Sequence, residues 1–422
     1  MRAYVAYGKH LLDNIVTFFK WIMIGVFMGI VVGLVGTSFY KILAVAGELR
    51  ETHEWLLYLL PVGGIMITVL YRYWMKMKDK GTNMVLAAIA SGKEITPSLW
   101  PVIYLSTVIT QLFGGSAGRE GAAFQIGGCI GNIFGHAFKL DESDRHTIIM
   151  CGMSAGFSAL FGTPMAAAVF AMEIISVGVM YYGALVPCMV SSFVSITVAG
   201  HFGISPVRFA VKEVPGFTPL PVAKILVLAC LCAVISGVFC YLLHKVGKLF
   251  RTHIPNSYIR TIVGGLLIIV LVLVTGTRDY IGDGMPVIVE CFETKTSPVA
   301  FFMKILFTAI TLGAGYKGGE IVPSLFIGAT LGNTFGAIVG LDTAFASSIG
   351  MIGVFCGVTN CPITSLLLGF EMFGYQGAPF LALTVAISYM LSGYYGLYDS
   401  QKIMYSKMKT SYINRRINNK VH

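Results

Sequence analysis

The chain has 422 residues, 56% hydrophobic and only 12% charged, with a mean hydropathy of +0.77. A soluble domain carries roughly 25% charged residues, so this chain has about half the charge that a water-facing surface needs and reads as an integral membrane protein. The net charge of +10 does not signal nucleic-acid binding: the basic residues fall in short clusters between apolar stretches, and no basic soluble domain exists to carry that function.

Residues 1–20 read as an N-terminal cytoplasmic segment. Lys9, His10, Asp13 and Lys20 interrupt it, and the apolar run that follows is too long for a signal-peptide core, so no cleavable signal is expected. A first transmembrane repeat is expected over 21–204. Its cleanest uncharged runs are 21–40 and 147–172, each at or above the roughly 20 residues that a spanning helix needs. Arg72, Lys76, Lys78 and Lys80 mark a basic, cytoplasmic loop between them. Residues 174–200 exceed one span and contain glycine and proline, which predicts a helix pair or a re-entrant segment. A linker over 205–224, with Pro206, Pro215, Pro219 and Pro221, forms the seam. The second repeat, 225–398, contains the apolar runs 225–243, 321–341 and 377–398, and a longer run at 343–370. Residues 399–422 read as the end of a helix and a basic cytoplasmic tail with Lys407, Lys409, Arg415, Arg416 and Lys420. The runs are continuous rather than alternating, so the fold class is all-α and a β-barrel is excluded. The nine cysteines form no CxxC pair and lie mostly inside apolar runs (Cys151, Cys188, Cys230, Cys240, Cys356), as buried thiols do. No metal or cofactor is expected.

The two halves repeat. Residues 126–135 read IGGCIGNIFG and 327–336 read IGATLGNTFG, six of ten positions being identical at an offset of 201. Residues 164–173 (PMAAAVFAME) match 362–371 (PITSLLLGFE) at an offset of 198, with proline and glutamate nine apart in both. Duplicated halves with glycine-interrupted helices point to a transporter whose site lies at the repeat interface; duplication that serves packing alone is the alternative.

Ahead of each copy lies a glycine-rich turn that bears charge, GGSAGREG at 114–121 and GYKGGEIVP at 315–323. Each turn precedes an apolar helix and so presents free backbone N–H groups and a positive dipole end, a place where a small anion binds. Gly118 stands opposite Gly319, and Glu120 opposite Ile321. A carboxylate at Glu120 competes with an anion for those N–H groups, and its protonation releases the site, which couples protons to anions. The plainer alternative is a Glu120–Arg119 pair that anchors a loop, and Glu320 has the similar alternative of a surface loop charge. Glu173 and Glu371 occur in both copies and read as helix-terminal structural groups. GGSAG at 114–118 and GMSAG at 152–156 fit G-x-S-x-G, but that pattern needs a preceding strand and His and acid partners, and His136, His146 and His201 are scattered. The chain is not expected to be an enzyme.

GREG at 118–121, GGEIVP at 318–323, GTNMV at 81–85 and the last tyrosine of YYGLY, Tyr398, together resemble the anion-site segments of the CLC chloride channel and transporter family. The resemblance covers about residues 10–410 and rests on the order of the four segments. It implies an inverted-repeat helical fold with broken and re-entrant helices, a homodimer, and one anion pathway per subunit. It also implies that Glu120 is the gating glutamate, that Thr82 takes the position of the central serine with Asn83 beside it, and that Tyr398 supplies a hydroxyl. Gly118, Arg119 and Gly121 of one turn and Gly319, Glu320, Ile321 and Val322 of the other complete the implied anion site, with backbone amides from Ile321 and Val322. The chain departs from the family pattern: GTNMV at 81–85 stands for the usual GSGIP, Ala122 for the proline that usually follows GREG, and Gly319-Glu320-Ile321-Val322-Pro323 for the usual GxFxP, and Ile174 stands where chloride/proton exchangers carry an inner glutamate. These changes resemble the bacterial fluoride/proton antiporter branch. The expected partners are fluoride or chloride, protons and the lipid bilayer, in a plasma membrane with both termini cytoplasmic. A chloride/proton exchanger or a passive chloride channel of the same fold remains the alternative.

Overall fold

A computed structural model of the chain describes residues 2–74, 85–86, 95–409 and 411–418. Helix α1 (Arg2–Thr52) runs unbroken for 51 residues; no proline interrupts it, so nothing stops the helix where the first apolar run begins. A 3-10 turn (Glu54–Leu59) leads into α2 (Leu60–Val69), which a π-helical turn (Leu70–Trp74) extends. The first half continues with α3 (Leu99–Leu112), α4 (Glu120–Ala137), α5 (Glu142–Phe161), α6 (Pro164–Glu173), the short strand β1 (Ser176–Val177) and α7 (Leu185–His201). Residues 174–200 therefore hold one full helix rather than a pair. Gly178, with φ of 86°, turns the chain after β1, and helix resumes only beyond it.

The second half contains α8 (Pro219–His253), α9 (Ser257–Thr275), α10 (Met285–Glu290), α11 (Ala300–Ala314), α12 (Ile321–Val339), α13 (Thr343–Thr359), α14 (Pro362–Phe373) and α15 (Ala378–Leu391). Residues 343–370 are a helix pair, broken where Asn360 takes a left-handed φ of 59° and Pro362 starts α14. The expected helix end and tail after residue 398 is corrected. Strands β2 (Lys402–Tyr405) and β3 (Tyr412–Arg416) form an antiparallel hairpin, and β2 also pairs in parallel with β1. Strand β3 shows the period of two: Tyr412, Asn414 and Arg416 are exposed while Ile413 and Arg415 between them are half-buried, and the β2–β3 register is irregular between Ile403, which is buried, and Tyr405, which is exposed.

Six helices among the described residues are long and apolar enough to cross a bilayer. They are not equivalent. In the most apolar window of α12, 78% of residues are buried within the protein, against 22% in that of α1, so α12 is central and α1 faces lipid along much of its length. Two close crossings form the core. A Cβ on Gly127 would lie 2.0 Å from the Gly152 carbonyl oxygen where α4 crosses α5, and a Cβ on Gly328 would lie 2.3 Å from that of Gly350 where α12 crosses α13. Only glycine lets backbones approach so closely, and both halves use it at matching places.

The halves run in opposite directions. Lys20, early in α1, bonds Asp144 at the start of α5 (2.6 Å), so α4 ends on the same face of the molecule as the start of α1. On the opposite face Arg278, just beyond α9, pairs with Glu54, just beyond α1 (3.1 Å). Helix α8 therefore begins on the Glu54 face, and its Lys224 donates to the carbonyl of Val339 at the end of α12 (2.6 Å). Helix α4 thus leads from the centre to the Lys20 face and α12 from the centre to the Glu54 face, an inverted pair. The matched glutamates obey the same symmetry. The Glu173 carboxylate, ending α6, accepts from the N–H groups of Ile363 (3.1 Å) and Thr364 (2.8 Å) and from the Thr364 hydroxyl (2.6 Å) at the start of α14. Glu371, ending α14, accepts from Met165 N–H (3.0 Å) and Ala166 N–H (2.9 Å) at the start of α6. Each helix caps the other, as their reading as structural groups expects.

Candidate anion site

The two glycine-rich turns meet at the centre of the molecule. Gly118 N–H donates to the Gly319 carbonyl and Gly319 N–H to the Gly118 carbonyl, both at 2.7 Å, an isolated antiparallel bridge between the halves. Side chains have no room here. A Cβ on Gly319 would lie 2.7 Å from Gly121 N, and one on Gly318 would lie 2.4 Å from the Ala117 Cβ. A Cβ on Gly121 would stand 3.8 Å from Glu320 Oε2, which places the carboxylate of one turn beside the first helical turn of the other half.

From this bridge α4 and α12 depart in opposite directions, so two positive helix ends face a common centre. Arg119 and Glu320 are the residues immediately before the two helices. The first intrahelical bonds are donated by Ala123 and Ser324, and Pro323 has no N–H. The amides of Gly121 and Ala122 in α4, and of Ile321 and Val322 in α12, thus have no partner within their own helices. Ile321 and Val322 are fully buried, and the Val322 Cβ lies 3.1 Å from where a Gly118 Cβ would be. Such a cluster suits a small anion that accepts several N–H groups at once.

Glu120 is 1% exposed and folds back over its own turn. Its Oε2 accepts from Arg119 N–H at 3.2 Å and its Oε1 from Arg119 Nε at 3.3 Å. The pair foreseen as a loop anchor therefore exists, yet the carboxylate also occupies a backbone donor at the mouth of α4, as a competitor for an anion does. Arg119 is held from outside: its guanidinium stacks 4.5 Å from the Tyr40 ring centroid and its Nη1 lies 3.9 Å from Asp283 Oδ2. The loop bearing Asp283 is fixed in turn. Gly282 O accepts from Ala117 N–H (3.1 Å) and from Lys304 Nζ (2.9 Å), and Lys304 also donates to Tyr280 O (3.2 Å). Asp283, Tyr40 and Lys304 were not singled out from sequence. Lys304 was legible, as a lone lysine inside the apolar α11; Asp283 and Tyr40 carry no local signal, because only the fold brings them to Arg119.

Glu320 is 7% exposed. Nearby, Lys317 rests 4.7 Å from the Tyr71 ring centroid, at the end of the extension of α2 and hence on the Lys20 side. Glu120 and Glu320 thus approach the centre from opposite faces. Tyr398, 4% exposed, lies in the loop after α15, within electrostatic reach of Glu320. Thr82 and Asn83 lie outside the described residues. The G-x-S-x-G matches lack the setting of a hydrolase elbow. Residues 114–118 follow helix α3, where the Ser116 hydroxyl meets Thr308 Oγ1 at 3.0 Å, and Ser154 sits inside α5, donating to the carbonyls of Cys151 and Cys188.

Comparison with known proteins agrees with this geometry. The pattern of the family described as "Voltage gated chloride channel" matches residues 63–393. A protein of Pseudomonas syringae pv. tomato named "Chloride/fluoride channel protein" is 35% identical over 395 residues, covering 92% of this chain and 87% of that protein. The crystal structure of a CLC-type fluoride/proton antiporter superposes with a TM-score of 0.88 at 30% identity, covering 91% of this chain and 98% of the other. A slow cyanobacterial chloride/proton antiporter shares the fold, with a TM-score of 0.76 at 18% identity over 88% of this chain and 94% of its own. The chain is a multi-pass membrane protein that belongs to the voltage-gated chloride channel family, the CLC family, and is similar within it to a fluoride/proton antiporter.

Proposed function

We propose that the chain is a proton-coupled antiporter that exports fluoride. The observation that carries this reading is the buried Glu120 carboxylate, folded over the N-terminus of α4 where the N-terminus of α12 also arrives. Glu120 acts as the gate: ionised, it takes the donors that an anion needs; protonated, it swings away and yields them. Neutral Glu120 and the hydroxyl of Tyr398 can also donate directly to fluoride, a small ion whose tightly held water must be replaced by close donors. Glu320 places a second acidic group on the other side of the bridge. Ile174, fully buried, leaves an apolar side chain where the chloride/proton exchangers to which the family resemblance points carry an inner glutamate. Likeness to a fluoride/proton antiporter in fold, and to the Pseudomonas protein named for chloride and fluoride in sequence, supports fluoride as the ion.

The chain then works in the plasma membrane with both termini in the cytoplasm, an orientation favoured by the basic residues on the Lys20 face. An inward proton gradient drives fluoride out. A homodimer is what the family resemblance implies. Purified protein in liposomes, followed with fluoride, chloride and pH electrodes, tests the reading. Fluoride efflux faster than chloride efflux, with uphill proton movement, is expected, and chloride efflux of equal rate sinks the fluoride claim. Glu120→Gln and Glu120→Ala are expected to abolish proton coupling, and intact coupling in both removes Glu120 as the gate. The second reading is chloride/proton exchange, favoured by the Tyr398 hydroxyl; a passive channel would move anions without ever pumping protons uphill.

A further inference from the structure

The β2–β3 hairpin folds back toward the loop that carries Tyr398. That loop hangs between two helix ends, α13 stopping at Asn360 and α15 at Ser392. Its backbone is tied to α13 by Leu397 N–H donating to Val358 O (3.0 Å) and by the Gln401 side-chain amide donating to Thr359 O (3.0 Å), while Gln401 N–H donates to Tyr398 O (3.0 Å). Beyond β2, Lys407 reaches inward. Its Nζ donates to Asn360 Oδ1 and to Ser392 Oγ (3.0 Å) and lies 4.7 Å from the Tyr389 ring centroid. One ammonium thereby joins the two helix ends that bracket the Tyr398 loop. At the far end of the hairpin Asn418 donates to Gly396 O (3.1 Å) and Asp399 Oδ1 (2.8 Å) and accepts from Gly396 N–H (3.2 Å), so the same loop is held twice. Among the described residues Lys407 forms no ion pair. A cation desolvated against neutral groups is costly, and a methionine would fill the same space without that cost.

We propose that Lys407 is a positioning residue of the anion site, an ammonium that joins Asn360 to Ser392 and so holds the Tyr398 loop at the distance a small anion requires. This rests on the reading of Tyr398 as an anion ligand. Hydrogen bonding to fluoride falls off steeply with distance, so a loop free to relax loses affinity before it loses turnover.

The test uses the full chain in liposomes, reading fluoride KM, maximal rate and proton-to-fluoride coupling. K407M is expected to raise KM about tenfold, with maximal rate within about twofold and coupling unchanged, which corresponds to about 1.4 kcal/mol. K407R is expected to restore KM, because a guanidinium reaches both acceptors. Y398F is expected to raise KM too, and the double variant to be no worse than Y398F by itself. A wild-type KM in K407M, or effects of the two substitutions that multiply, overturns the inference. Y398F with unaltered KM strikes the reading of Tyr398, and this inference with it, whereas a Y398F effect beside an inert K407M strikes this inference alone. Should K407M not assemble, pH decides. Burial lowers the Lys407 ammonium to about 8, with Cys356 on α13, Cys240 on α8 and Cys361 between α13 and α14 as its titratable neighbours and Tyr389 beneath it on α15. The cation is present below that pH and lost above it, so wild-type KM rises on the alkaline side. K407R, whose guanidinium stays charged, is expected to lose that rise, and its persistence in K407R overturns the proposal.

Discussion

Gly319 is the residue on which the two halves register. Its N–H and carbonyl both serve the bridge to Gly118, and any Cβ would stand 2.7 Å from Gly121 N, against backbone that cannot rotate aside. Gly319→Ala therefore moves the start of α4 rather than a flexible side chain. Overpacking of this kind costs about 1–3 kcal/mol, and much of that cost falls on the alignment of the two helix ends. We expect at least about a tenfold loss of fluoride efflux from Gly319→Ala in liposomes, with the protein still monodisperse on size exclusion; full efflux would show that the bridge is not part of the transport machinery. Gly183→Ala makes a matched control, since a Cβ there meets nothing within 4 Å.

At the scale of elements, α6 and α14 stand or fall together, because each closes the open end of the other. Hydrogen bonds to a charged group are worth about 1.5–3 kcal/mol each, and more is lost when buried donors are left without acceptors. Glu173 accepts three such bonds and is the more buried, while Glu371 accepts two. We expect Glu173→Ala to lower the melting temperature in detergent more than Glu371→Ala, and an order reversed between the two would refute that account. The reciprocity also shows what sequence can carry. The offsets of 201 and 198 were legible because glycine, asparagine, proline and glutamate are each needed at set places in both copies: the crossings at Gly127 and Gly328, the bridge at Gly118 and Gly319, the caps at Glu173 and Glu371. The clamp on Arg119 was not legible. Asp283 lies 164 positions away in the chain, and nothing about an aspartate between two glycines foretells a guanidinium partner. The hairpin was missed for another reason: its lysines and arginines have the composition of a positive tail, and composition hides the alternation of Tyr412, Ile413 and Asn414 in β3.

For the whole molecule, the contacts that hold the halves together are non-covalent and repeated: the Gly118–Gly319 bridge, the two glutamate caps and the bonds of Ser116 N–H and the Ser116 hydroxyl to Thr311 and Thr308. The first part of the peptide connection between them is anchored as well, Val207 N–H donating to Phe161 O (3.2 Å) and Phe209 N–H to Met372 O (3.0 Å), with the Phe209 ring stacked on Phe292 at 4.5 Å. After α7 the chain runs through residues 202–218 without helix, and around Gly216 and Phe217 it is exposed. A cut at this exposed stretch removes few contacts and chiefly adds the entropic cost of bringing two chains together, since the closure entropy of a linker grows only slowly with its length. We therefore expect residues 1–215 and 216–422, expressed together as separate chains, to assemble in the membrane, to co-purify through a tag on either one, and to transport fluoride. The prediction is specific in where the cut falls. A break at residue 178, although also at a glycine in a left-handed turn, separates β1 from α7 and takes Ser176 and Val177, the partners of Lys402 and Ile403, away from the helix that follows them; that pair is expected to assemble less well. Equal recovery from both cuts would mean that the halves are not the units of assembly, and no recovery from the cut at 215 would mean that the connection itself holds them in register.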